Sequence, residues 1–245
     1  MTMLRGAKEH YGLVERKKGD WKIKDKPPLV RHLSHHELHA HRAFASYLET
    51  LQEDRRILLQ HYHRRDVAFK TVGVGSVGTF CAIGLFVADD GSPLLLQVKE
   101  AQASVLAPFA GASDYANHGE RVIVGERMMQ ATPDIFLGWT RNPVNGRYFY
   151  VRRLKDPRLA NLGTLLEGAL PYYAKLCGNT LARAHVRSGD ALALSGYMGD
   201  DSEFDKAIAE FAMTYADQTE HDWHAFLEAI KAGRIGAEEP HAPPA

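Results

Sequence analysis

The most constraining stretch of this 245-residue chain is Gly73-Val74-Gly75-Ser76-Val77-Gly78, together with the residues immediately after it. Glycines at this spacing let a backbone turn tightly and lie close to a ligand, and two unrelated folds use the pattern. In a dinucleotide-binding unit the glycines open a helix whose N-terminus holds a pyrophosphate. Here the next residues are Thr79-Phe80-Cys81-Ala82-Ile83-Gly84-Leu85-Phe86-Val87. They are rich in β-branched and aromatic side chains and run into Asp89-Asp90-Gly91-Ser92-Pro93, a dense turn signal. That is strand sequence, so the loop joins two strands.

A glycine loop between strands covers nucleotide phosphates in kinase-type sites, where a lysine on the next strand neutralises them and a helix glutamate holds the lysine. Lys99, in Gln97-Val98-Lys99-Glu100-Ala101, lies on the expected strand 94–101. A helix is expected over 113–130, capped by Ser113, with Val122, Ile123 and Met129 facing inward. It offers two glutamates. Glu120, near its start, is expected to orient Lys99, and Glu126 to lie on a solvated face. The competing readings are a ligand-free glycine turn and an exposed strand lysine. Loop, lysine and glutamate in this order weigh against both.

The remaining pattern is α+β. Residues 1–30 read as an irregular arm with a turn at Lys17-Lys18-Gly19-Asp20, and 34–62 as two helices, with Asp54 near the second start. Strands are expected over 67–74, 79–87 and 94–101, then the helix, then strands 135–140 and 147–154 around Asn145-Gly146, a hairpin signal. This predicts a kinase-like antiparallel sheet of five strands with one helix, followed by a mostly helical lobe. Tyr172, Leu176 and Leu181 share one helical face; Ile208, Phe211 and Tyr215 share another, and Trp223, Phe226 and Ile230 a third. Ser202 with Asp205 approximates a capping box, and Gly233 is a helix stop. The domains expected are an arm with helices over 1–62, a nucleotide-binding region over 63–156, a helical lobe over 157–236 and a disordered tail over 237–245.

Lys plus Arg and Asp plus Glu both number 30, a balance that argues against a nucleic-acid partner. Residues 1–10 lack the apolar core of a secretory leader, and no run approaches the ~20 apolar residues of a membrane span. Cys81 and Cys177 lie far apart in apolar stretches, which predicts buried free thiols in a cytoplasmic protein. His32, His35, His36, His39 and His41 cluster, with His35 and His39 one helical turn apart, but without the third ligand a zinc site needs. A solvated histidine-rich face is the favoured reading, and no metal site is assigned. Arg152, on the last strand, is a candidate nucleotide contact beside the bland alternative of a solvent-facing charge run.

The wording of several segments also carries information. The glycine loop with its flanks Val72 and Thr79, Gln97-Val98-Lys99-Glu100-Ala101, His118-Gly119-Glu120-Arg121-Val122, Asp134-Ile135-Phe136-Leu137-Gly138-Trp139, Phe149-Tyr150-Val151-Arg152, Leu181-Ala182-Arg183-Ala184-His185 and Tyr215-Ala216-Asp217-Gln218 occur in order. Together they resemble the C-terminal part of an uncharacterised bacterial family, domain of unknown function 2252. That family is distantly similar to protein kinases and aminoglycoside phosphotransferases. The resemblance implies a longer protein, with a Gly-Asp-x-His-x-x-Asn-Phe-Gly motif and a Phe-Asp-x-Asn-Asp-Phe-Asp motif ahead of the glycine loop. Neither motif occurs here; Gly19-Asp20 is followed by Trp21-Lys22.

Phosphoryl transfer needs a positioning carboxylate and ligands for magnesium. The first expectation is therefore an ATP-binding, kinase-like protein that is catalytically incomplete as this chain. Gly73, Gly75, Ser76, Gly78, Lys99, Glu120 and Arg152 would bind the nucleotide with Mg2+, and a separate N-terminal half would supply the aspartates. The second is a non-enzymatic module that docks such a partner. The third is a small-molecule phosphotransferase using Asp190 as base and Asp217 as metal ligand.

Overall fold

Seven of the eight residues of strand β5 (Cys81–Ala88) are buried, so its sheet is covered on both faces. The structure, a computed structural model, describes residues 12–32, 40–71, 78–154 and 168–236. The chain divides into two compact units, 1–188 and 189–245. The first holds a six-stranded antiparallel sheet. Its order is β3 (Val30–His32), β4 (Tyr62–Lys70), β5, β6 (Pro93–Ala101), β8 (Tyr148–Arg153) and β7 (Gly138–Arg141). A separate hairpin, β1 (Val14–Lys17) and β2 (Asp20–Ile23), turns through Lys18 and Gly19, both at positive φ.

The expected five-strand sheet is thus corrected to six strands plus a hairpin. The additions come from the supposed irregular arm. Each of its three strands has three or four residues and buries one, Val14, Ile23 or Val30. Runs that short carry no readable alternation. β4 also begins earlier than expected, taking in the charged residues 63–66, and Val72–Val74 lie outside the described residues.

The two faces of the sheet have separate cores. On one, Ala68, Ile83, Leu85 and Leu95 pack under Val14, Ile23 and Val30. On the other, Phe86, Leu94, Leu96 and Val151 pack under Tyr47 of α1 (Ala40–Glu49), Leu51, and Leu59 of α2 (Glu53–Gln60). Gly138 admits this cover, since a Cβ there would lie 2.7 Å from the Tyr47 ring.

After β6 a single turn, α3 (Ala107–Ala110), leads to α4 (His118–Met129), which packs on β6, β7 and β8. The start of α4 is corrected from Ser113 to Asn117. Asn117 Oδ1 accepts the N–H groups of Gly119 and Glu120 at 2.8 and 3.3 Å, while the Ser113 hydroxyl closes a local turn with Tyr115. Met129 is exposed rather than inward-facing. The strand expected over 135–140 begins only at Gly138. Asp134 draws the N–H of Phe136 into a side-chain turn at 3.1 Å and accepts the Arg153 N–H with its other oxygen. The hairpin at Asn145-Gly146 forms as expected, with Gly146 at φ +71°.

α5 (Leu170–Ser188) completes the first unit and packs on α4. The second unit holds α6 (Ala191–Met198) and α7 (Glu203–Lys231). The capping box at Ser202 does not form; Asp201 accepts the Glu203 N–H instead, at 3.0 Å. Gly233 stops α7 as expected, at φ +68°. The helical stripes are present, yet Tyr172, Leu176, Leu181, Ile208, Phe211, Tyr215 and Trp223 are all exposed. Cys177 is exposed too, contrary to expectation, while Cys81 is buried. No helix among the described residues is long and apolar enough to cross a membrane.

Candidate functional site

Strand register decides what surrounds Lys99. On β6 it pairs with Cys81 of β5 and Tyr150 of β8, while the neighbouring row pairs Gln97 with Ile83 and Arg152. Directly paired residues point to one face and diagonal neighbours share it. Lys99, Gln97, Arg152, Tyr150 and Cys81 therefore lie together, on the face that also bears Ile83 and Leu85.

A hydrogen-bond relay fixes this group. Arg152 Nε donates to Gln97 Oε1 at 3.1 Å, and Gln97 Nε2 donates to Cys81 Sγ at 3.5 Å. Gln97 is one of two buried polar residues in the described core, and both ends of its amide are engaged. Burial pushes the Cys81 thiol up, so it stays protonated. Lys99 is held below its usual range, first by partial burial and then by the Arg152 charge, with Cys81 and Glu126 acting against them. Among the described residues neither Lys99 nor Arg152 has a carboxylate within ion-pair distance. Two cations share a half-buried face, and no described carboxylate pairs directly with either.

The carboxylate whose field reaches them is Glu126. Burial raises its pKa, Asp134 raises it further, and Arg152 and Lys99 oppose both. The expectation of a solvated Glu126 is corrected. Gly119, Ile123 and Glu126 come in succession at four and three residues, so they form one stripe, and the first two are buried. Glu120 sits in the first turn of α4, three residues after its cap. Asn117-x-x-Glu120 is the spacing of a helix start, a signal that separates Glu120 from Glu126 in the sequence itself.

Of the glycine loop, Gly78 is described, exposed and at φ +81°. Gly73, Gly75 and Ser76 lie outside the described residues. Glu100, absent from the nucleotide-binding set expected from the sequence, anchors the end of the loop. Its carboxylate accepts the Phe80 N–H at 3.0 Å and meets Arg147 at 3.4 Å.

A model of the family described as an uncharacterized protein conserved in bacteria, domain of unknown function 2252, matches residues 6–229. The chain belongs to this family. No curated protein and no solved structure matches it.

The remaining candidates of this domain 2252 chain each have their own local setting. Asp190 is the N-cap of α6, its Oδ1 accepting the N–H groups of Leu192 and Ala193 at 2.9 and 3.1 Å. Asp217 lies exposed within α7. His32 is exposed and lies between two aspartates, Nδ1 at 2.7 Å from Asp25 and Nε2 at 3.0 Å from Asp66. His35, His36, His39 and the side chain of His41 fall outside the described residues, and no metal-binding group of side chains occurs among the described ones.

Proposed function

We propose that this domain 2252 chain binds a nucleoside triphosphate, ATP with Mg2+, in the manner of the small lobe of a kinase. The observation that carries the reading is the pair Lys99 and Arg152, half-buried on one sheet face without a direct counter-ion among the described residues. An anion there removes the repulsion between them, and two donors of different geometry suit a polyphosphate. The succession strand, glycine loop, strand, lysine strand, helix and two further strands supports the same reading, as does α4 lying on the lysine side of the sheet.

In this reading the backbone of Gly73, Gly75, Ser76 and Gly78 contacts the phosphates. Lys99 and Arg152 neutralise them, and Gln97 orients Arg152. The orienting carboxylate for Lys99 is Glu126, with Glu120 marking the start of the helix. No acceptor substrate is assigned. Asp190 already uses one carboxylate oxygen to cap α6, which favours the nucleotide reading over Asp190 as base and Asp217 as metal ligand.

A docking module remains the second reading. Phe211, Tyr215 and Trp223 of α7 are more than half exposed, and such apolar surface is expected where a separate N-terminal half would pack. The deciding experiment is thermal unfolding with and without Mg-ATP. The melting temperature is expected to rise for the wild type and not for Lys99→Ala; no rise in the wild type overturns the nucleotide reading.

A further inference from the structure

The face of the sheet opposite Lys99 contains a cavity of about 170 Å³. It arises because the central strands carry little bulk there. Gly84 has no side chain, and Ala82 has only a methyl group. Val98 of β6 completes the floor. Aromatic walls stand on both sides. Phe44 of α1 stacks on Phe86 with ring centres 5.1 Å apart, and Phe80 meets Phe149 edge-on at 5.9 Å. Alternation along β5 and β6 puts this floor on the side away from Cys81 and Lys99.

The turn that lines one side of the cavity presents donors to it. Asn142 Oδ1 accepts the N–H groups of Val144 and Asn145, and Asn145 Oδ1 accepts that of Arg147. The turn thereby uses both carbonyl oxygens and leaves both amide NH2 groups as donors. Arg147, held by Glu100, adds a guanidinium beside them. An apolar chamber with walls of phenyl rings and a rim of donors calls for an apolar body with an acceptor head. The size is decisive for the body: a cavity of about 150 Å³ accommodates benzene. Thr140 and Tyr47, which also line the space, have their hydroxyls occupied by Ala43, Ser46 and Phe136, so the interior offers little to a polar ligand.

We infer that this cavity is a binding site for a single-ring aromatic carboxylate, with the ring over Ala82 and Gly84 and the carboxylate at Arg147, Asn142 and Asn145. It lies on the other side of the sheet from the proposed nucleotide site and does not depend on that reading. The test is titration of the full chain with phenylacetate, followed by methyl NMR. Saturable shifts are expected at Val67, Val98 and Val151, with Ile83 and Val30 on the opposite face unmoved. Filling the floor with Ala82→Leu should abolish them; if that variant does not fold, Val98→Phe serves the same purpose. Arg147→Ala should weaken phenylacetate about tenfold while leaving toluene unaffected. Lys99→Ala should bind phenylacetate as the wild type does. Absence of saturable shifts in the wild type overturns the site. So do shifts that persist in a folded, filled variant, or loss of binding in Lys99→Ala. Equal binding of phenylacetate by Arg147→Ala and the wild type overturns the assignment of a carboxylate ligand.

Discussion

Glu100 accepts the backbone N–H of Phe80 at 3.0 Å, so the strand that carries Lys99 also holds the end of the glycine loop. The two functions occupy opposite sides of one strand: Lys99 faces Cys81 and Tyr150, and the next residue faces Phe80. A hydrogen bond to a charged group contributes about 1.5–3 kcal/mol. Glu100→Ala is expected to lower unfolding free energy by about 2 kcal/mol in urea titration, and Glu100→Gln by less. The proposed nucleotide site adds a second expectation, that both variants weaken Mg-ATP.

The approach of α4 to β8 leaves no room for a side chain at Gly119. A Cβ there would stand 2.3 Å from the Phe149 carbonyl oxygen and 3.0 Å from Trp139 Cβ. Alanine normally favours a helix over glycine by about 1 kcal/mol, so propensity and packing oppose each other. Backbone cannot yield as a flexible side chain does, and packing should win. Gly119→Ala is expected to destabilise by about 1–3 kcal/mol, while Gly125→Ala, with nothing within 4 Å, should stabilise by up to about 1 kcal/mol. Chemical denaturation of the two variants checks the contrast within one helix.

His32 ties the N-terminal strands to β4. Burial alone would lower its pKa, but hydrogen bonds to Asp66 and Asp25 raise it overall. Its protonated form is therefore favoured by folding. The resulting stability is fully present below the unfolded value near 6.5 and is lost as pH rises through the raised folded value. Asp25 works in the opposite sense. The His32 hydrogen bond lowers its pKa, so its contribution is present above 3.8 and is lost as pH falls through the lowered value. Unfolding free energy measured across this range should decline above neutrality, and His32→Asn should flatten that decline.

Lys99 should cost stability in the unliganded protein. Its pKa is lowered by burial and by Arg152, so folding disfavours the charged form over the pH range in which the unfolded lysine is protonated. Lys99→Met is expected to raise the melting temperature without ligand and to remove the shift caused by Mg-ATP. A variant more stable yet unresponsive is the outcome expected of a residue kept for binding.

The central strands, the α4 region and the Asn145-Gly146 hairpin are legible in the sequence because long apolar runs, helical spacing and a turn dipeptide each leave a local signature. The N-terminal strands are not, since each is only three or four residues long with one buried residue, Val14, Ile23 or Val30, covered by partners far along the chain. Lys99 and Arg152 are identifiable as residues, but their adjacency comes from the pairing of β6 with β8. Ile123 is legible as inward-facing, and Glu126, three residues further along the same stripe, shares its burial by helical spacing. The exposure of Trp223 and its neighbours depends on what packs against a helix, and spacing alone carries no information about that.

The alternation along β6 has a consequence for how the gene can change. Leu96, Val98 and Glu100 serve one face of the sheet, and Gln97, Lys99 and Ala101 the other. Loss of a single codon within this strand would exchange the two sets, sending a lysine into the aromatic chamber and a valine toward Arg152. Point substitutions could be absorbed one at a time, but the reading length of this strand could not drift by one residue without disabling both sides at once.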